Sequence, residues 1–247
     1  MPRDTGPAGS AAPRGSPATA PGRLIGQNRG MAVTPGPEVH PTASWSDPGR
    51  VDRYLARIGS VEPRLAGEEV LGTLLPESPR SALDLGCGDG RLAALVVDLR
   101  PSIDRVVAVD SSTPMLERAH GRFAGDRRVT VREWNLADAL TPLGTFDVIV
   151  AGFSIHHVDD QRKMALFGEV ARQLNSGGLF ANLEVVASAT PELHRQFLGL
   201  IGRTDDDPED RLAEVDVQLR WMREAGLSQV DCFWRWRGFA LLAGRAT

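Results

Sequence analysis

The residues of this 247-residue chain best suited to chemistry stand in three short stretches. The first is Ala82-Leu83-Asp84-Leu85-Gly86-Cys87-Gly88-Asp89-Gly90. It begins as an apolar run, reads as a buried strand, and breaks into glycines where a helix should begin. Glycine at every second position lets the backbone turn sharply and lie close against a ligand, with no Cβ in the way. Asp84 falls inside the strand, where an acid is costly unless paired. A ligand's ammonium group or the loop's own N–H groups would pair it. The second stretch ends in Asp110, 20 residues beyond Gly90. A carboxylate at the C-terminal edge of a strand accepts both hydroxyls of a ribose, or it caps the next helix, a task open to Ser111, Ser112 and Thr113 as well. Met115, one turn on, offers an apolar surface to a nucleobase or to the core. The third stretch runs from Gly144 to Val158 and holds His156-His157. A neutral imidazole near pH 7 suits deprotonation of a hydroxyl or amine, and adjacent histidines also serve packing and hydrogen bonding. His157 is placed ahead of His156 as the base.

Glycine spacing separates the candidate ligands. A dinucleotide fingerprint needs a glycine three residues after its second one, for helix–strand packing. Here the second is Gly88 and the third position holds Arg91, so the pattern is G-x-G-x-G. That counts against NAD or FAD.

The surrounding pattern says what must hold these stretches in place. Val51, Tyr54, Leu55 and Ile58 follow helical spacing from Pro48, and Pro63 opens a second helix through Leu74. Strands are expected at Ala82–Leu85, Arg105–Asp110, Val129–Trp134, Phe146–Ala151 and Leu179–Val186. Helices alternate with them: one follows the glycines to Leu99, one has Pro114 in its first turn, and one spans Asp160–Leu174. Such alternation implies right-handed crossovers and a parallel sheet with helices on both faces. Residues 187–228 break the rhythm with two helical stretches, Pro191–Gly202 and Pro208–Ala225. Between them Asp205-Asp206-Asp207 reads as a solvated, helix-capping loop rather than a metal site, and no metal is expected. Gln229–Trp236 and Phe239–Ala243 form a closing antiparallel hairpin, with Trp234 and Trp236 on its core face and Arg235 and Arg237 toward solvent.

The stretch Leu83 to Gly90 resembles the first motif of class I S-adenosylmethionine (SAM) dependent methyltransferases. Phe146-Asp147-Val148-Ile149-Val150-Ala151, followed by the His-bearing segment, is similar to the strand-four signature of that family. Leu219 to Leu227 is similar to its lead-in to the last hairpin. The likeness runs from about Arg50 to Gly244. It implies a Rossmann-like α/β fold with a mostly parallel seven-stranded sheet whose C-terminal hairpin adds one antiparallel strand. It also implies SAM as cofactor, with methionine over Gly86 and Gly88 near Asp84, ribose on Asp110 and Ser111, and adenine between Met115 and Leu136. Ala151, the small residue ending strand four, joins that set. Asn135 aligns with the acid that binds the adenine amino group, and its side-chain oxygen still accepts from an amine. Asp138 is the alternative occupant if the register shifts by three.

Composition narrows the rest. The chain is 42% hydrophobic and 24% charged with net charge −4, ordinary for one globular domain and unsuited to general attraction to nucleic acid or an anionic membrane. After strand four stands Ala151-Gly152-Phe153-Ser154 in place of the Pro-Pro motif of amino methyltransferases acting on bases, and neither Cys87 nor Cys232 follows a proline as a cytosine C5 nucleophile would. Two cysteines make no disulfide framework, and a reducing, cytoplasmic home is the simplest. Residues 1–47, rich in Pro, Gly, Ala, Ser and Thr, are expected to be disordered, with Met31 an alternative start. The expectation for 48–247 is therefore one methyltransferase domain acting on an oxygen or nitrogen of a small molecule, with 48–75 as lid and 187–228 as helical insertion. Two rivals stay open: a nicotinamide-dependent oxidoreductase, and a non-catalytic SAM- or partner-binding protein on the same fold. The acceptor and the oligomeric state are not legible in the sequence.

Overall fold

The computed structural model describes residues 45–58 and 61–247. The expected disorder of residues 1–47 and the alternative start at Met31 lie outside the described residues, apart from Trp45, Ser46 and Asp47. Helices α1 (Pro48–Ile58) and α2 (Glu62–Leu74) lead into β1 (Ser81–Leu85), α3 (Arg91–Leu99), β2 (Arg105–Asp110), α4 (Thr113–Arg122) and β3 (Val129–Glu133). Then come β4 (Phe146–Gly152), a 3-10 turn at Ile155–His157, α5 (Asp160–Gln173), β5 (Leu174–Val185), α6 (Pro191–Leu200), α7 (Val215–Glu224), β6 (Ser228–Trp236) and β7 (Phe239–Arg245).

The seven strands form one sheet in the order β3-β2-β1-β4-β5-β7-β6. Pairing is parallel from β3 to β5 and antiparallel between β5 and β7 and between β7 and β6. This is the expected Rossmann-like arrangement. β1, buried at every position, reads as a continuous apolar run because both faces of a parallel strand are covered. One face packs Leu71 of α2, Val96 of α3, Ala119 of α4 and Phe197 of α6. The other packs Phe167 of α5 and Leu219 and Met222 of α7. Because β1 lies between β2 and β4, strand order reverses there, and at such a switch point the loops diverge and leave a crevice at the C-terminal edge. The glycine loop and the His-bearing turn flank that point.

Two boundaries differ from expectation for identifiable reasons. β5 begins at Leu174 rather than Leu179: Leu174 pairs with Phe146 before an irregularity at Gly177-Gly178 resets the register to Val148–Leu179. α7 begins at Val215 rather than Pro208, because the preceding residues are drawn onto other segments. Asp207 pairs with Arg50 of α1 at 2.6 Å, the Arg211 amide donates to the His156 carbonyl at 2.7 Å, and the Ala187 amide donates to the Ala213 carbonyl at 3.1 Å. The Asp205–Asp207 run is thus partly engaged rather than solvated, Asp206 reaching His194 at 2.8 Å.

A buried ion network joins α2 to α3. Glu68 accepts from Arg64 Nε at 2.8 Å and from Arg91 Nε and Nη2 at 2.7 and 2.6 Å. Burial raises the Glu68 carboxyl, yet the Arg91 and Arg64 guanidiniums outweigh it and hold the group below its usual range. Glu68→Ala leaves Arg64, only 6% exposed, without its counter-charge. Urea unfolding should show a loss of about 3 kcal/mol or more. A loss below about 1 kcal/mol would contradict the assigned role.

Candidate active site

The bend after β1 is held by backbone amides on buried acids. Asp84 is 1% exposed, and its Oδ2 accepts from the Ala93 amide in the first turn of α3 at 2.9 Å. The amide in place belongs to α3 rather than to the glycine loop itself. Oδ1 of Asp84 has no partner, and burial pushes the group up to about 7. Asp110, half-buried at the end of β2, accepts from the Gly88 amide at 2.8 Å and from the Ser112 amide at 2.8 Å. Burial raises it, against the pull of the Ser112, Gly88 and Ser111 amides. The helix-capping role falls instead to Ser112, whose Oγ accepts from the Met115 amide at 3.4 Å and donates to the Trp45 carbonyl at 2.6 Å.

The glycines do different work. Gly86 has φ 65°, and a Cβ there would lie 2.2 Å from Ser154 Cβ, so the loop is packed tightly against the segment after β4. Gly88 has φ 54°, but its nearest neighbour would be Met115 Sδ at 3.7 Å. A Cβ at Gly88 would thus make only ordinary contact with Met115, though the left-handed backbone there is costly for any residue with a side chain. Met115 is 4% exposed, and Ser111 is exposed.

The adenine side is brought together in part. Leu136 lies against the loop, its Cδ1 3.7 Å from the Cβ position of Gly86, and its carbonyl accepts from Arg162 Nε at 2.6 Å. Asn135 is exposed, and its side-chain oxygen accepts from the Ala137 amide at 2.9 Å, closing a local turn. Asp138 is exposed as well. Ala151 is fully buried, paired with Leu85 and Asn182, so it sits inside the sheet edge.

The two histidines sit in contrasting surroundings. His156 is 6% exposed; its Nδ1 meets Glu184 Oε1 at 2.5 Å and its Nε2 faces Asp210 Oδ1 at 3.4 Å. Burial opposes its charge, but Glu184 and Asp210 raise it. His157 has a buried Nδ1 without a hydrogen-bond partner, 3.6 Å from Asp210 Oδ1, and its ring lies 5.6 Å from that of Trp45. Burial, His156 and Arg50 push it down to about 2. It is therefore a neutral acceptor at any ordinary pH and a weak base, while the more basic His156 has both nitrogens facing carboxylates.

Both histidines line a cavity that encloses about 90 Å³, together with Trp45, Tyr54, Arg57, Phe153, Ile201 and Arg203. One atom from each of His156, His157 and Asp210 lies within 4.8 Å of the others, the arrangement closest to a cation site among the described residues. Arg50 and Arg203, facing the same space, oppose a dication there. Sequence reasoning missed Glu184, Arg203 and Asp210. Glu184 carried a signal, an acid inside an apolar strand like Asp84; the other two lie in irregular chain and carried none.

The loop fits a nucleoside with an ammonium-bearing tail. It has a left-handed glycine without close contacts at Gly88, a carboxylate with lone pairs left at Asp110, and an unpaired buried carboxyl oxygen at Asp84. Asp84 also gives the site a pH signature. Its folded value lies above the unfolded value near 3.9, so the folded state holds an extra proton between about pH 4 and 7. Stability from this group is present below that window and lost as pH rises through it, by roughly 4 kcal/mol. Wild type minus Asp84→Asn, followed by urea unfolding from pH 4 to 8, should fall by that order; a flat difference would contradict the assignment.

Comparison with known proteins agrees with this geometry. Residues 82–178 match the family model described as Methyltransferase domain. An uncharacterized methyltransferase of Mycobacterium tuberculosis is 36% identical over 129 residues, 51% of this chain and 59% of that protein. The demethylmenaquinone methyltransferase of Leptospira interrogans is 36% identical over 107 residues, 42% of each chain. The trans-aconitate 2-methyltransferase of Rhodococcus jostii is 35% identical over 114 residues, 46% of this chain and 41% of that one. The matched stretch thus spans about half the length of these relatives. Among solved structures, an O-methyltransferase family protein from Burkholderia thailandensis superposes with TM-score 0.62 at 20% identity, covering 80% of this chain and 59% of that one. Human N-acetylserotonin methyltransferase in complex with SAM gives 0.61 at 15%, covering 82% and 57%. Sheet order, glycine loop and sequence match converge: residues 82–178 are similar to a methyltransferase domain, and the fold is the one these solved methyltransferases share.

Proposed function

We propose that the protein transfers a methyl group from SAM to an oxygen or nitrogen of a small molecule bound beside His157. The observation that carries this reading is the neighbourhood, through Trp45, of the glycine loop braced by Asp110 and the cavity lined by Phe153, His156 and His157. Trp45 links them, its carbonyl held by Ser112 and its ring against Tyr54 and His157.

Asp110 and Ser111 would hold the ribose, Gly86 and Gly88 the methionine tail with Asp84 beneath, and Met115 and Leu136 the adenine. Asn135 remains the candidate for the adenine amino group through its second lone pair. Bound there, the cofactor would supply an electrophilic methyl group on sulfonium for the acceptor's lone pair, the acceptor's proton leaving to solvent. His157, which lines the cavity, would orient the attacking O–H or N–H, with His156 and Glu184 fixing the turn behind. Holding the two reactants in line supplies most of the rate. α1, α2 and the 187–228 segment would form the lid and acceptor pocket. None of the helices among the described residues is long and apolar enough to cross a membrane.

Asp110→Ala removes a charged acceptor and the brace on the Gly88 amide together. Titration calorimetry with S-adenosylhomocysteine should show binding about a hundredfold weaker, with the circular dichroism spectrum kept. Unchanged affinity would refute this placement of the cofactor.

A further inference from the structure

The cavity beside His157 carries more cations than its own carboxylates balance. Arg50, Arg53, Arg57 and Arg203 line it, against Asp207 and Asp210. Arg50 is offset by Asp207 at 2.6 Å and by Glu209 at 3.3 Å. Asp210 turns Oδ1 to the two histidines, and its Oδ2 is 3.8 Å from Arg203. Arg53 comes no closer than 3.8 Å to Asp47, and its buried Nε has no hydrogen-bond partner. Arg57, in the last turn of α1, makes no ion pair among the described residues. Burial and Arg203 hold its guanidinium below the usual range, so these two cations act on each other across the space.

Such an arrangement is unfavourable when empty. Like charges in a partly desolvated site repel, and the chain as a whole is acidic, with net charge −4, so positive potential concentrated at this one place is not a by-product of composition. Guanidinium forks match carboxylate geometry, and two forks from different segments fix its orientation. Ile58, Phe153, Ile201 and Phe239 supply an apolar wall to the same cavity.

Resting on the methyltransferase reading, we infer that the methyl acceptor is a carboxylate-bearing molecule, its anionic group between Arg57 and Arg203 with Arg53 beside them, and its apolar body against Phe153 and Ile201. The carboxylate is the anchor. With its lone pairs directed at guanidiniums it is a poor nucleophile, so the atom methylated is another oxygen or nitrogen of the same molecule.

The test uses the full chain with S-adenosylhomocysteine present, titrated with benzoate, 4-hydroxybenzoate, hexanoate and citrate, each against its neutral amide. At least one acid should bind tenfold or more tighter than its amide. Arg57→Gln and Arg203→Gln should each weaken that acid about tenfold, and Arg57→Lys should recover part of the loss. No acid preferred over its amide across the panel, or a preference untouched by both Gln variants, overturns the inference. The S-adenosylhomocysteine titration on the same samples separates the two levels: intact binding there with no acid preference sinks the anion site alone, whereas its absence sinks the methyltransferase reading.

Discussion

The carboxylate of Asp110 is the constraint on which the rest of the site depends. Its two oxygens take the amides of Gly88 and Ser112, tying the bend after β1 to the start of α4. One strand away, Asp84 takes the Ala93 amide and fixes the start of α3. The loop is therefore shaped by two acids at adjacent strand ends before any ligand arrives. A loop already ordered loses less freedom on binding, which is how a short glycine-rich segment gains affinity without a large contact area. The arrangement carries a cost in Asp84, whose burial raises its carboxyl.

Beside this braced loop the cavity lined by His157 is governed by charge. Arg50 and Arg203 are among the groups that depress His157, after burial and His156. An anion seated near Arg203 would offset part of that field, while burial and His156 would still hold His157 down. His156, held by Glu184 from β5, keeps the turn in place and is set back from the acceptor.

Much of this was legible in the sequence, and the limits have physical causes. Continuous apolar runs such as Arg105–Asp110 mark strands buried on both faces, and the prolines at 48, 63 and 114 stand at helix starts, so the order of elements followed. The glycine loop, Asp110 and the histidine pair were found by spacing. Their division of labour was not: that a Cβ would clash with Ser154 at Gly86 but make only ordinary contact with Met115 at Gly88 depends on contacts between segments far apart in sequence. The start of α7 was misread because Asp207, Arg211 and Ala213 are taken by partners 26 to 157 residues away, which override local helical preference. Arg57 and Arg203 look like ordinary surface arginines until the fold sets them facing one cavity.

The most direct measurement of the central claim is a side-by-side calorimetric titration of the wild-type chain with S-adenosylhomocysteine and with NADH. The account predicts saturable one-to-one binding of the first and none of the second. Binding of NADH with no heat from S-adenosylhomocysteine would contradict it.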